Sequence, residues 1–166
     1  MADEQNFAEF YRGAYPGLVA ELYAYTGDLA EAQEAAQEAF TRAWPRWNKV
    51  SSYDQPRAWV ARVAYRLAVS RWRKARNTLL SFRRHGPPPD VPAPDAVSAE
   101  LVEALRAIPE KHRRAVVLHH MGGYSVAEIA AMDGVAEGTV KAWLSRGRQK
   151  LAALLSDETL EANHHA

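Results

Sequence analysis

A chain of 166 residues, 48% hydrophobic and 25% charged, has enough apolar surface for one ordinary core or two small ones, and this composition excludes a disordered chain. It has no cysteine, which excludes disulfides, thiol nucleophiles and thiolate zinc sites, and no run of about 18 apolar residues, which argues against a helical membrane span. The net charge of +1 hides a strong segregation: residues 1–44 carry eight acids against Arg12 and Arg42, residues 54–84 carry nine bases against Asp54, and residues 139–155 carry Lys141, Arg146, Arg148 and Lys150 with no acid. Such blocks predict different partners for different surfaces. The basic blocks suit phosphate neutralisation, with a steep salt dependence, or simply solvated helix faces. The acidic segment Met1–Gly13 has no apolar signal core, so a cytoplasmic address is expected.

Alanine, leucine, glutamate and arginine dominate and β-branched runs are short, so helix is expected almost throughout. Over Asn6–Tyr25 the residues Phe7, Phe10, Tyr11, Ala14, Leu18, Leu22 and Tyr25 recur at steps of three and four, marking an amphipathic helix. Pro16 predicts a kink or a split there. Gly27-Asp28 supplies a stop and an N-cap for a second helix over Asp28–Trp44. Asn48–Gln55 reads as a polar loop, Asp54 as the cap of a third helix with Pro56 in its first turn, and Ala75 as that helix's approximate end. Its core stripe is Val60, Val63, Ala64 and Leu67, flanked by Trp59 and Val69; at about 100° per residue, Arg62, Arg66 and Arg73 share the far side.

His85–Pro94 holds five prolines in ten residues. Residues 77–97 are therefore expected to form an extended, flexible linker between a domain over 1–76 and a second over 98–155. Helices resume at Ser98 with the stripe Leu101, Leu105 and Ile108, then again over Glu110–Met121, with Ala115, Val116 and Leu118 apolar and Gly122-Gly123 at the end. Ser125 caps a short helix over Val126–Met132, Gly134 makes a turn, and a last helix covers Glu137–Leu155. The tail 156–166 is polar and expected to fray. The fold class is all-α: two small helical domains, a three- to four-helix bundle and a helix-turn-helix, joined by a proline-rich flexible linker.

The sharpest pattern is the helix-turn-helix over Ser125–Leu144. Such a motif needs a small residue where its helices touch (Ala130), a residue tolerating a tight turn four positions on (Gly134), and apolar residues locking the second helix down (Val135, Val140, Leu144). The second helix then offers Glu137, Thr139, Lys141, Ala142, Ser145 and Arg146 to the major groove, with Lys141 and Arg146 able to reach phosphates or guanine edges. Two packed helices joined by a glycine turn give the same pattern without DNA. Asp133 stands where an apolar residue usually closes the first helix, either turned outward or partly replacing a cap. Ala136 stands at the N-cap without a side-chain oxygen, at a cost of about 1 kcal/mol.

Ala104-Leu-Arg-Ala-Ile-Pro109-Glu-Lys-His-Arg113, followed by this motif and by Glu137-Gly-Thr-Val-Lys141 and Arg146-Gly-Arg148, resembles region 4 of extracytoplasmic-function (ECF) sigma factors of bacterial RNA polymerase. The resemblance implies that Glu137, Thr139, Lys141 and Arg146 face the −35 element, that Arg113 contacts a DNA phosphate, and that the first part of region 4 meets the flap of the polymerase β subunit; Ala142 and Ser145 join the −35 set from the helix-turn-helix reading. Glu34, with Gln37-Glu38-Ala-Phe40-Thr-Arg42-Ala-Trp44, is similar to the region 2 helix that docks on the coiled coil of the β′ subunit. It implies core-polymerase contacts at Glu34, Gln37, Glu38 and Arg42, with Phe40 in the core. Pro56–Arg73 resembles the helix that melts and reads the −10 element. Melting needs a pocket and stacking surfaces for single-stranded bases. Asn48, Tyr53 and Trp59 are the candidates for these, with Arg62, Arg66 and Arg73 on the backbone. Trp44, Trp47, Trp59 and Trp72 also read as packing residues, Trp44 and Trp59 especially. The chain departs from the family pattern at Trp143, where arginine is common and one base or phosphate contact is altered, at Glu34 and Ser70, where aspartate is, and at Ala35-Ala36, usually leucine–valine.

The family further implies promoter DNA and core RNA polymerase as partners, with an anti-sigma factor as a common restraint. No cofactor or metal is expected. His119-His120 and His164-His165 are adjacent pairs that point to different sides of a helix and read as surface residues. No phosphate-binding glycine loop or nucleophile elbow suggests an enzyme. The competing readings are a stand-alone helix-turn-helix regulator binding operators as a dimer, which explains residues 98–155 only, and an adaptor that binds polymerase or an anti-sigma protein without promoter specificity.

Overall fold

A computed structural model of the chain describes residues 1–77, 94 and 97–164, and among these every regular element is helical. The chain divides into two compact units, Met1–Pro94 and Asp95–Ala166. Most of the linker expected over 77–97 lies outside the described residues.

The first unit consists of α1 (Ala2–Thr26), α2 (Leu29–Ala43), a short 3-10 turn (Trp44–Arg46), α3 (Trp47–Val50) and α4 (Pro56–Asn77). Pro16 neither splits nor ends α1. It lies on the exposed side, where water can satisfy the carbonyl its ring displaces, while Leu18 and Leu22 anchor the same helix in the core. Gly27 closes α1 in the left-handed conformation at φ 72°, and Asp28 caps α2 by accepting from the Glu31 N–H. The core side of α2 is alanine: Ala32, Ala35, Ala36, Ala39 and Ala43 are wholly buried. These small side chains let α1 and α4 approach closely and receive their larger ones.

α4 buries Val60, Ala61, Ala64, Tyr65 and Ala68, whereas Val63 and Leu67 are only half-buried. The stripe is thus rotated from the expected one, because alanines face α2 and Tyr65 fills the remaining space, its ring 5.3 Å from that of Tyr25. The expected loop begins later than Asn48: the buried pair Trp47 and Val50, one turn apart, pins a helical turn there. Gln55, not Asp54, holds the cap position of α4, its carbonyl accepting from Ala58 at 3.1 Å and Trp59 at 3.4 Å.

The second unit consists of α5 (Ala99–Arg106), α6 (Glu110–Val116) running into a π-helical turn (Val117–Met121), α7 (Val126–Asp133) and α8 (Glu137–His164). Ser98 caps α5 through the Leu101 N–H. The core gathers Val102, Leu105, Ile108, Val117, Leu118, Ile129, Val140 and Leu144, with Leu101 left half-buried. Gly147 is the contact point of α8 with α6: a Cβ there would meet Val116 Cγ2 at 2.7 Å and the His112 carbonyl at 3.3 Å. The tail expected to fray instead continues α8 to His164, because the helix formers of Leu151–Leu155 carry the periodicity onward and the Ser156 hydroxyl donates to the Ala152 carbonyl at 2.6 Å.

Candidate polymerase and nucleic-acid interfaces

Glu34, Gln37 and Arg42 lie exposed on α2, with Glu38 half-buried beside them. The residues form a network: Arg42 donates to Glu38 at 2.7 Å, and Arg71 of α4 lies 3.4 Å from Glu34 and 3.6 Å from Glu31 while also pairing with Glu38. Phe40 is buried as expected. Trp44 is not: it is 43% exposed, its ring 5.0 Å from Phe7, on the rim of an aromatic groove of about 300 Å³ that also includes Tyr11, Gln37 and Thr41. Trp47 takes the core place instead, 4.8 Å from Phe10.

At the foot of α4, Asn48, Tyr53 and Trp59 line one pocket of about 340 Å³, together with Pro45, Arg46, Lys49 and Val50. The sequence reading missed Arg46 and Lys49, although the run Trp44-Pro-Arg-Trp-Asn-Lys49 interleaves aromatics with bases in the manner of single-strand binding surfaces. Arg62 and Arg66 are exposed on α4. The side chains of Trp72 and Arg73 lie outside the described residues. Beneath this helix an unanticipated ion pair ties α4 to α1: Arg57 donates to Glu21 at 3.0 Å, and the Glu21 side chain is 1% exposed. Burial pushes the Glu21 carboxyl up to about 7, against the opposing pull of Arg57. The signal was present, since Glu21 stands at an apolar step between Leu18 and Tyr25.

In the second unit Ser125 and Glu128 form a reciprocal capping box at 3.1 and 3.4 Å. Ala130 is buried and its carbonyl accepts from Val135 at 3.1 Å. Gly134 adopts φ 66°, a conformation that costs a side-chain-bearing residue far more. Val140 and Leu144 are buried and Val135 half-buried. Away from them α8 exposes Glu137, Lys141, Ser145 and Arg146, with Thr139 and Ala142 half-buried alongside and Arg113 half-buried on α6.

Asp133 neither turns outward nor acts as a cap. It turns inward to Arg114 of α6, 2.7 Å away, with both side chains largely buried. Burial raises its carboxyl pKa more than Arg114 lowers it. Ala136 does occupy the cap position of α8, its carbonyl accepting from Thr139 and Val140. Trp143 packs toward α6 with the Lys111 ammonium 5.8 Å from its ring centre. His112 is held below the ordinary imidazole range, first by burial and then by Arg146 and Lys150. His119 and Tyr124 share a hydrogen bond of 2.8 Å between Nδ1 and the carbonyl, and His120 is exposed. His165 lies outside the described residues, as does the side chain of His164. Among the described residues no cluster of three metal-ligating side chains occurs.

Two family models match the chain, Sigma-70 region 2 over residues 10–78 and Sigma-70, region 4 over residues 98–151. The ECF RNA polymerase sigma factor SigL of Mycobacterium tuberculosis is 33% identical over 162 residues, covering 90% of this chain and 91% of that protein. The chain belongs to the ECF sigma factors. The RNA polymerase sigma-E factor of Streptomyces coelicolor is 28% identical over 164 residues, covering 98% of this chain and 93% of that protein. The fold is shared with the sigma factor RpoE of Bartonella quintana, solved in complex with the anti-sigma factor NepR, at a TM-score of 0.73 and 23% identity, covering 92% of this chain and 98% of that one.

Sigma factors are non-enzymatic transcription initiation factors. This one binds core RNA polymerase and promoter DNA through its regions 2 and 4. No helix among the described residues is long and apolar enough to cross a membrane.

Proposed function

We propose that this sigma factor divides its work among three surfaces. The α2 face with Glu34, Gln37, Glu38 and Arg42 docks on the β′ coiled coil of core polymerase. The pocket of Asn48, Tyr53 and Trp59 receives a base flipped from the melting −10 element, while Arg62, Arg66 and Arg73 hold its backbone. Glu137, Thr139, Lys141, Ala142, Ser145 and Arg146 of α8 read the −35 element, with Arg113 on a phosphate, and the start of region 4 meets the β flap. The protein catalyses no reaction of its own and works in the cytoplasm. An anti-sigma partner covering these same surfaces restrains it, a reading supported by the fold it shares with a sigma factor captured in such a complex.

The observation that carries this division is the make-up of the first unit, which joins an acidic helix face to an aromatic, base-flanked pocket. A stand-alone operator-binding regulator needs neither. The test is run-off transcription from a pool of genomic fragments, with core polymerase alone and with the protein added. Discrete new start sites sharing two upstream motifs at fixed spacing are expected. DNA binding by the protein alone without new starts would establish the stand-alone regulator instead, and binding to core without new starts the adaptor.

A further inference from the structure

Arg71 belongs to none of the three surfaces, yet it reaches one of them. From α4 its guanidinium spans to α2, Nη1 lying 3.4 Å from Glu34 and 3.6 Å from Glu31, and Nη2 2.5 Å from Glu38. Glu31, Glu34 and Glu38 are spaced three and four residues apart, so they line one stripe of α2 where like charges repel. A planar fork of donors can answer several carboxylates at once, which a point-charge ammonium cannot. Glu38 is held at both ends, its Oε1 by Arg42 and its Oε2 by Arg71, so its orientation is fixed before any partner arrives.

The pairs with Glu34 and Glu38 are too exposed to contribute much to folding, while Glu31, its side chain 12% exposed, is the more structural partner. Glu34 is 58% exposed and Glu38 36%. What Arg71 changes is where those carboxylates point. We infer that Arg71 is a positioning residue for polymerase docking: it pre-arranges Glu34 and Glu38 and ties the −10-reading helix to the docking face. The inference rests on the reading that Glu34 and Glu38 meet core polymerase.

The experiment measures binding of the full-length protein to core polymerase for wild type, Arg71→Ala, Arg71→Lys, Glu34→Gln, Glu38→Gln and the double variant Arg71→Ala/Glu38→Gln, each with its thermal midpoint. Arg71→Ala is expected to weaken binding by about tenfold, a size typical of coupling within one charge network, while shifting the midpoint by about 5 °C or less. Arg71→Lys should recover only part of the loss, and Arg71→Ala should cost less binding in the Glu38→Gln background than in wild type, the remainder coming from Glu34. Should Arg71→Ala fail to fold, Arg71→Gln, which keeps a donor on a shorter stem, takes its place. Unchanged binding by the two glutamate variants would remove the docking reading itself. Weakened binding by those two with Arg71→Ala at wild-type affinity would overturn this inference alone. Tighter binding by Arg71→Ala would overturn it too, by making Arg71 a competitor of the polymerase.

Discussion

Glu21 has a carboxyl about 7 in the folded state against an ordinary 4.5 because it sits in the core of the first unit. Below 4.5 it is protonated whether the chain is folded or not. Between 4.5 and 7 the folded state keeps a proton that the unfolded chain has lost, so this group's contribution falls as pH rises through that window and levels off above it. At about 1.4 kcal/mol per pKa unit, the swing is on the order of 3 kcal/mol. Glu21→Gln keeps a hydrogen-bonding partner for Arg57 without the charge. Its unfolding free energy in urea should exceed that of wild type at pH 8 and converge with it near pH 4.5. A difference that does not vary with pH would refute the assignment. Ala136 gives a second residue-scale expectation. Its carbonyl accepts the first N–H bonds of α8, but its side chain can satisfy no orphan donor. Ala136→Ser should add about 1 kcal/mol to the stability of the second unit, read as a higher thermal midpoint.

At the scale of elements, packing overrides local preference in both units. Glycine inside a helix ordinarily costs about 1 kcal/mol relative to alanine. Gly147 is nonetheless what lets α8 lie against α6, since an added Cβ would sit 2.7 Å from Val116 Cγ2 and 3.3 Å from a backbone oxygen. Gly147→Ala should therefore destabilise by about 1–3 kcal/mol despite its better helix propensity, checked by chemical denaturation. An increase in stability would mean that the two helices separate freely. The buried face of α4 teaches the same lesson. Periodicity located the helix and its basic side, and Arg62 and Arg66 are exposed as expected. It misplaced the core stripe because alanine is equally at home on either side of its boundary. Only the close approach to the alanine face of α2 selects Ala61, Tyr65 and Ala68 over Val63 and Leu67.

For the whole molecule, docking and promoter reading are assigned to different surfaces and should fail separately. Lys141→Ala/Arg146→Ala should reduce −35-dependent initiation at least tenfold, lower the salt sensitivity of promoter binding, and leave the affinity for core polymerase unchanged. Charge reversal at Glu34 and Glu38 should weaken core binding first. Run-off transcription alongside core-binding titrations separates the two, and a loss of core affinity by Lys141→Ala/Arg146→Ala equal to its loss of initiation would merge the surfaces. The sequence by itself determined the helical content, the segregated charge and the turn at Gly134, because these depend on neighbours within a few positions. It also carried the motifs of regions 2 and 4. Only the tertiary structure decided that Glu21 meets Arg57 across 36 residues, that Arg71 meets Glu38 across 33, that Asp133 turns in to Arg114, and that Trp59 closes a pocket with Asn48 and Tyr53. Periodicity tells which side of a helix is buried to within about one residue. Which partner a buried charge or ring meets depends on the rotation and separation of two packed helices, and those follow from the fit of all their side chains together.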